Sequence, residues 1–114
     1  MKTPILIFFF ALLLCGSAYS QKPAKTADVC ILTSSKCDDC KMRIETALKS
    51  VKGVKKANLD IPTHKACVTY KPKKTDVGQL RKAIALAGYD ADEVKADQEA
   101  YDNLPQCCRK GGHE

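Results

Sequence analysis

The sequence has no tryptophan, no internal repeat and no apolar run long enough to cross a bilayer as a helix. Without tryptophan, and with lysine, valine and alanine prominent, its 114 residues can build one small domain with a modest core. Basic residues are not interleaved with aromatics, and no DNA-binding element is visible. The net charge of +6 therefore does not indicate a nucleic-acid partner, and a DNA-binding metal sensor is excluded. No second Cys/His pair stands in register with the Cys-x-x-Cys at 37–40, so that motif alone cannot make a four-ligand structural zinc site.

What is present begins with an export pattern. Lys2 precedes the apolar residues 5–14, and Ala18 and Ser20 place small side chains at positions −3 and −1 before Gln21. This predicts a signal peptide over residues 1–20, cleaved after Ser20, and an exported, periplasmic protein. Lipid attachment at Cys15 is the competing expectation, and the large Leu14 before it argues against that. Residues 21–27 read as a flexible lead-in. Beyond them lie Cys30, Cys37, Cys40, Cys67, Cys107 and Cys108. An even count in an exported chain ordinarily indicates a disulfide framework. The spacing here predicts ligands and buried thiols instead: a pair at a helix start, an adjacent pair in a tail, and two isolated in strand-like segments.

Residues 28–33 are β-prone, and alternation puts Cys30 and Leu32 on one face, expected to be the inner one. Cys40, Ile44, Ala47, Leu48 and Val51 recur at helical spacing, and Gly53 stands where a helix ends. Ala57, Leu59 and Ile61 share one strand face; Ala66, Val68 and Tyr70 share another, leaving Cys67 on its reverse. Thr75 is the expected N-cap of a second helix carrying Val77, Leu80, Ile84 and Ala87 and closed by Gly88. Residues 89–95 read as a weak last strand and residues 97–114 as a Cys-containing tail. The order βαββαβ over residues 28–96 predicts an α+β, ferredoxin-like arrangement: a four-stranded antiparallel sheet with two helices on one face. Cys37, His64 and Tyr89 then gather on loops at one pole.

Thiolate is the metal-binding form of cysteine, and a helix N-terminus favours it. Cys37 lies near the first helix's N-cap, and one Cys-x-x-Cys turn can aim two sulfurs at one ion. Two thiolates suffice for a low-coordinate soft ion such as Cu(I) or Hg(II), and an exposed pair can surrender it as a partner's thiolates enter. Asp38 and Asp39 suit the helix dipole but oppose thiol ionisation. Lys36 and Lys41 offset part of that, and the carboxylates could complete a Zn(II) or Cd(II) shell. The same spacing serves thiol–disulfide oxidoreductases, the competing enzyme reading. Those usually add a tryptophan before the pair, absent here, and a cis-proline facing it, whereas Pro62 and Pro72 flank a strand in the wrong register.

Taken together, Cys37-x-x-Cys40, the helix with Ile44, Ala47 and Leu48, "VKGV" at 51–54, "KACVTY" at 65–70, "KTDVGQLRKAI" at 74–84 and "AGYDA" at 87–91 resemble the heavy-metal-associated domain. That family includes the periplasmic mercury-binding protein and bacterial copper chaperones. The resemblance implies the ferredoxin-like fold, metal binding by Cys37 and Cys40, and Tyr89 beside the site. It implies a binding module, not an enzyme: a metallochaperone or scavenger for Cu(I), with Hg(II), Zn(II) or Cd(II) as further candidates. The implied partner is a metal-transporting membrane protein or its soluble metal-binding domain. A monomer is expected, with a metal-bridged dimer as the alternative. Ser34 and Ser35 depart from the family's Gly-Met before the first cysteine, the Met being a buried loop anchor; Ser35, Lys36 and Tyr89 are the expected surroundings of the ligands.

Three further residues are candidate accessory ligands. His64 shares the pole, although a histidine in a turn is ordinarily solvated. Cys107 and Cys108 are adjacent in a polar tail, where packing gives no reason for either. Twelve residues run from Lys95 to Cys107, a reach of at most about 40 Å extended and about 18 Å if helical, enough to fold back to Cys37. Cys30 is expected as a small core hydrophobe and Cys67 as a thiol without a role. The lysines at 55, 56, 65, 71, 73 and 74 form a solvated surface that could steer docking onto an acidic partner.

Overall fold

The computed structural model describes residues 25–109; the expected signal peptide, Cys15 and the last five residues lie outside them. Strand β1 (Ala27–Leu32), helix α1 (Asp38–Lys49), strands β2 (Val54–Asp60) and β3 (Lys65–Tyr70) and helix α2 (Val77–Leu86) follow in order. A short helix α3 (Gln98–Asp102) and a 3₁₀ turn (Gln106–Cys108) complete the described chain. The sheet order is β1-β3-β2, antiparallel throughout.

Strand alternation places one apolar row inward. Ile31, Ala66 and Leu59 sit side by side across the sheet, as do Val29, Val68 and Ala57. Cys40, Ile44 and Leu48 of α1 and Leu80 and Ile84 of α2 are fully buried against this row in one core. Full burial of an aliphatic side chain is worth about 1.5–3 kcal/mol, so this small cluster carries much of the fold's stability. Helix α2 is capped by Asp76, not by Thr75, with the Asp76 carboxylate accepting from Gln79 N. Helix α1 ends at Lys49 with Ser50 as C-cap; Gly53, at φ 104°, turns the chain into β2, and its carbonyl accepts from Lys71 N.

Two further expectations are corrected. Among the described residues the sheet has three strands, not four. Residues 89–95 make only single bridges, Thr33 to Ala91 and Ala91 to Val94. The acidic residues here suit turns better than ladders. Asp92 adopts φ 53°, and its carboxylate and amide take up the amide and carbonyl of Leu32, closing the β1 edge without a strand. The ion pair of Asp92 with Arg81 of α2 holds that arrangement at 3.0 Å.

The second correction concerns Cys30 and Cys67. Ile31 and Thr33, not Cys30, face the core; Cys30 and Cys67 are both exposed on the sheet's outer face. They are direct partners in the β1–β3 register, with Cα atoms 3.9 Å apart, and are joined as a disulfide. Two β-strand cysteines forced opposite each other by register are within bonding reach whatever their separation in sequence.

Candidate metal centre

The site grows from the loop between β1 and α1. Thr33 ends the strand and ties the loop to the β2–β3 turn, its amide and hydroxyl both donating to His64 O at 2.8 and 2.9 Å. The Thr33 hydroxyl accepts in turn from the buried Ser35 amide. Ser34 Oγ accepts from Asp90 N at 2.9 Å, fastening the loop to the segment after α2. Hydrogen bonds therefore hold this loop where the family uses a buried Met. Cys37, in extended conformation, is the N-cap of α1, and Cys40 follows one turn on with its side chain in the core.

The two sulfurs lie 3.7 Å apart, and the tail has come back to them. Cys107 Sγ is 3.6 Å from Cys37 Sγ and 3.9 Å from Cys108 Sγ. The sulfurs of Cys37, Cys40 and Cys108 lie mutually within 4.8 Å, the group of potential ligands that converges among the described residues. The sequence leads one to expect an exposed pair at an open helix mouth. Instead Cys40 is fully buried and Cys37 half-buried, because the 3₁₀ turn covers them.

Electrostatics separate the four thiols. At Cys37 burial pushes the pKa up, but the amides of Cys40 and Asp39 and the neighbouring thiols of Cys107 and Cys40 outweigh it, bringing the value down to about 7. Cys107 moves upward, first through its hydrogen bond with Cys37 and then through burial. Burial pushes Cys108 up to about 12, against the opposing hydrogen bond of Tyr89. Tyr89 is fully buried; burial first, then the adjoining Cys108 and Cys40, hold its phenol far above the ordinary range. Its buried hydroxyl has no hydrogen-bond partner, and the Cys108 and Cys40 thiols adjoin it.

The remaining expected residues take other places. His64 is exposed in the turn at φ 63° and does not join the converging ligands; its carbonyl, not its ring, serves the site by anchoring Thr33. Ser35 is buried beneath the loop and Lys36 is exposed. Lys41 does not offset the aspartates, since its ammonium is drawn to Glu45, Asn58 and the Leu59 carbonyl. Asp39 faces the tail, with its carboxylate 3.7 Å from Cys107 Sγ. The sequence reading missed what seats the tail: Asp97 N donates to Ala85 O, and Leu104 is buried over Gly88. The one sequence signal for it is Leu104, an isolated apolar residue among polar ones.

Residues 36–90 match the Heavy-metal-associated domain. A copper-exporting P-type ATPase of Staphylococcus haemolyticus is 37% identical over 68 residues, 60% of this chain and 9% of the ATPase. A zinc-transporting ATPase of Synechocystis sp. is 37% identical over 60 residues, 53% of this chain and 8% of its own. The chain thus spans less than a tenth of the length of these curated relatives. Among solved structures, oxidized MerP from Ralstonia metallidurans CH34 aligns with a TM-score of 0.57 at 34% identity, over 59% of this chain and 94% of MerP. A CopZ metallochaperone aligns with a TM-score of 0.56 at 29% identity, over 57% of this chain and 98% of CopZ.

Proposed function

The chain belongs to the heavy-metal-associated domain family, and from that premise we propose that it is an exported carrier of a soft metal ion. In this reading Cys37 and Cys40 hold Cu(I), or a similar thiophilic ion such as Hg(II), Zn(II) or Cd(II), as cargo, and the protein serves as metallochaperone or scavenger. The observation that carries it is the pair of sulfurs 3.7 Å apart at a helix N-terminus, one already inclined to the thiolate. The copper and zinc in the names of the relatives support a thiophilic cargo without choosing one.

Delivery is ligand exchange. A thiolate of the acceptor bonds to the ion as a thiolate of this chain leaves, with no change of oxidation state. The ATPase relatives support a metal-transporting membrane protein, or its soluble domain, as acceptor. Export is supported by the pattern of residues 1–20 and by the Cys30–Cys67 disulfide, since such bonds persist in oxidising compartments. The site thiols must then be kept loaded or reduced.

The lowered pKa of Cys37 equally suits a thiol–disulfide oxidoreductase. Anaerobic titration of the reduced protein with Cu(I), beside an insulin-reduction assay, separates the two. The carrier reading expects tight binding, lost in Cys37→Ser/Cys40→Ser, and no turnover. Insulin reduction without tight binding reverses the assignment.

A further inference from the structure

The cysteine pair of the tail has no part in a two-sulfur carrier, yet the fold is arranged to deliver it. The Asp97 amide bonds to the end of α2 at Ala85 O, 2.9 Å away. Asp97 then caps α3 through the Ala100 amide. Gly88, at φ 104°, lets the tail backbone pass: a Cβ there would stand 3.1 Å from both Ala100 O and Leu104 Cγ. Leu104 and Cys108 are buried to 3% and 1% exposure, and Arg109 Nε closes the turn on Leu104 O. Packing alone asks for an apolar residue at 108, not for a thiol among thiols.

Sulfur spacing points the same way. A metal–sulfur bond of about 2.3 Å sets sulfurs about 3.8 Å apart in a tetrahedral shell, about 4.0 Å in a trigonal one and about 4.6 Å in a linear one. Cys37 and Cys40 stand 3.7 Å apart with Cys108 within 4.8 Å of both, which suits a three-sulfur shell better than a linear pair. Cys107 lies outside that group but adjoins Cys37 at 3.6 Å and Cys108 at 3.9 Å, close enough to be a fourth donor. The fully buried Tyr89 hydroxyl has no hydrogen-bond partner in the metal-free site, and Cys40 and Cys108 adjoin it.

We propose that the tail completes the site: Cys40 and Cys108 form a buried floor that retains a soft ion, and Cys37 and Cys107 form the accessible rim at which ligands exchange. The inference rests on the carrier reading above and makes the cargo an ion accepting three or four thiolates, with Cd(II) as the probe. At the rim an incoming thiolate forms its bond to the ion as Cys37 or Cys107 leaves, while the floor holds on.

X-ray absorption on the full chain loaded anaerobically with one equivalent of Cd(II) counts the sulfurs directly. Three or four sulfurs support the proposal; two overturn it. Cys107→Ser/Cys108→Ser should reduce the count to two and shorten retention against EDTA at least tenfold, whereas an unchanged count overturns the tail's role. Because Cys108→Ser can loosen the buried tail, the wild-type count decides independently of that variant. A two-sulfur shell that disappears in Cys37→Ser/Cys40→Ser removes this inference and leaves the carrier reading intact. Failure of the wild type to load either Cu(I) or Cd(II) removes both.

Discussion

At Cys37 the upward push of burial is overcome by the amides of Cys40 and Asp39 and by neighbouring thiols, while at Cys108 burial prevails. In the reduced, metal-free protein, iodoacetamide labelling followed by mass spectrometry should therefore find Cys37 half-maximally reactive near pH 7, about two units below an ordinary thiol. Cys108 should stay unlabelled to the alkaline limit of the experiment; equal profiles for the two contradict the assignment. Glu45 gives a residue-scale prediction for stability. Burial pushes its carboxyl upward, but the hydrogen bonds from Lys41 and the Leu59 amide, the latter 2.8 Å long, lower it overall. A depressed carboxyl contributes stability above its unfolded pKa, near 4.5, and loses it as pH falls through the folded value. Glu45→Gln should cost about 1.5 kcal/mol at pH 7 and progressively less as pH is lowered below the ordinary carboxylate range, read from denaturant midpoints across that series.

Elements were legible wherever period and burial agreed. Cys40, Ile44 and Leu48 announce α1, and Ala66, Val68 and Tyr70 announce β3, because one apolar stripe or row faces one core. The last strand was not legible as a near miss. Its alternation is weak, and the outcome turned on whether the Asp92 carboxylate could replace a backbone ladder at Leu32. In β1 the phase of a short alternating run was ambiguous, and only pairing with β3 put Ile31 inward and Cys30 outward. The tail is likewise an element whose seat depends on one glycine. Gly88→Ala should cost about 1–2 kcal/mol and expose Cys108 to alkylation by lifting α3 and the 3₁₀ turn. Gly53→Ala is the control: its Cβ would meet Lys74 Cβ at 2.7 Å, so it should destabilise at least as much, yet leave Cys108 protected in the folded protein. Equal exposure of Cys108 in both variants would mean that the tail is not seated on Gly88.

Across the whole molecule, the outer face of the sheet carries a cross-strand disulfide and the opposite layer carries open thiols at one pole. The disulfide joins residues 37 positions apart and closes a loop that contains α1, β2, Cys37 and Cys40. Cys30→Ser/Cys67→Ser should lower stability by about 2–4 kcal/mol, chiefly by freeing the unfolded chain. It should leave the Cd(II) sulfur count unchanged, since neither residue belongs to the converging group. A changed count on removing this bond would show that sheet and site are coupled through β1.

By itself the sequence determined which residues can ligate a soft ion, the helix that presents Cys37 and Cys40, and the βαββα order around them. Those depend on local periodicity and on chemistry within one turn of chain. Tertiary structure decided the rest: that register joins Cys30 to Cys67, that Asp92 ends the sheet at three strands, and that the tail returns over Gly88 to cover the pair. Each of these is a meeting of residues 37 to 70 positions apart or an outcome of close packing, and beyond the lone apolar Leu104 neither leaves a mark on local sequence.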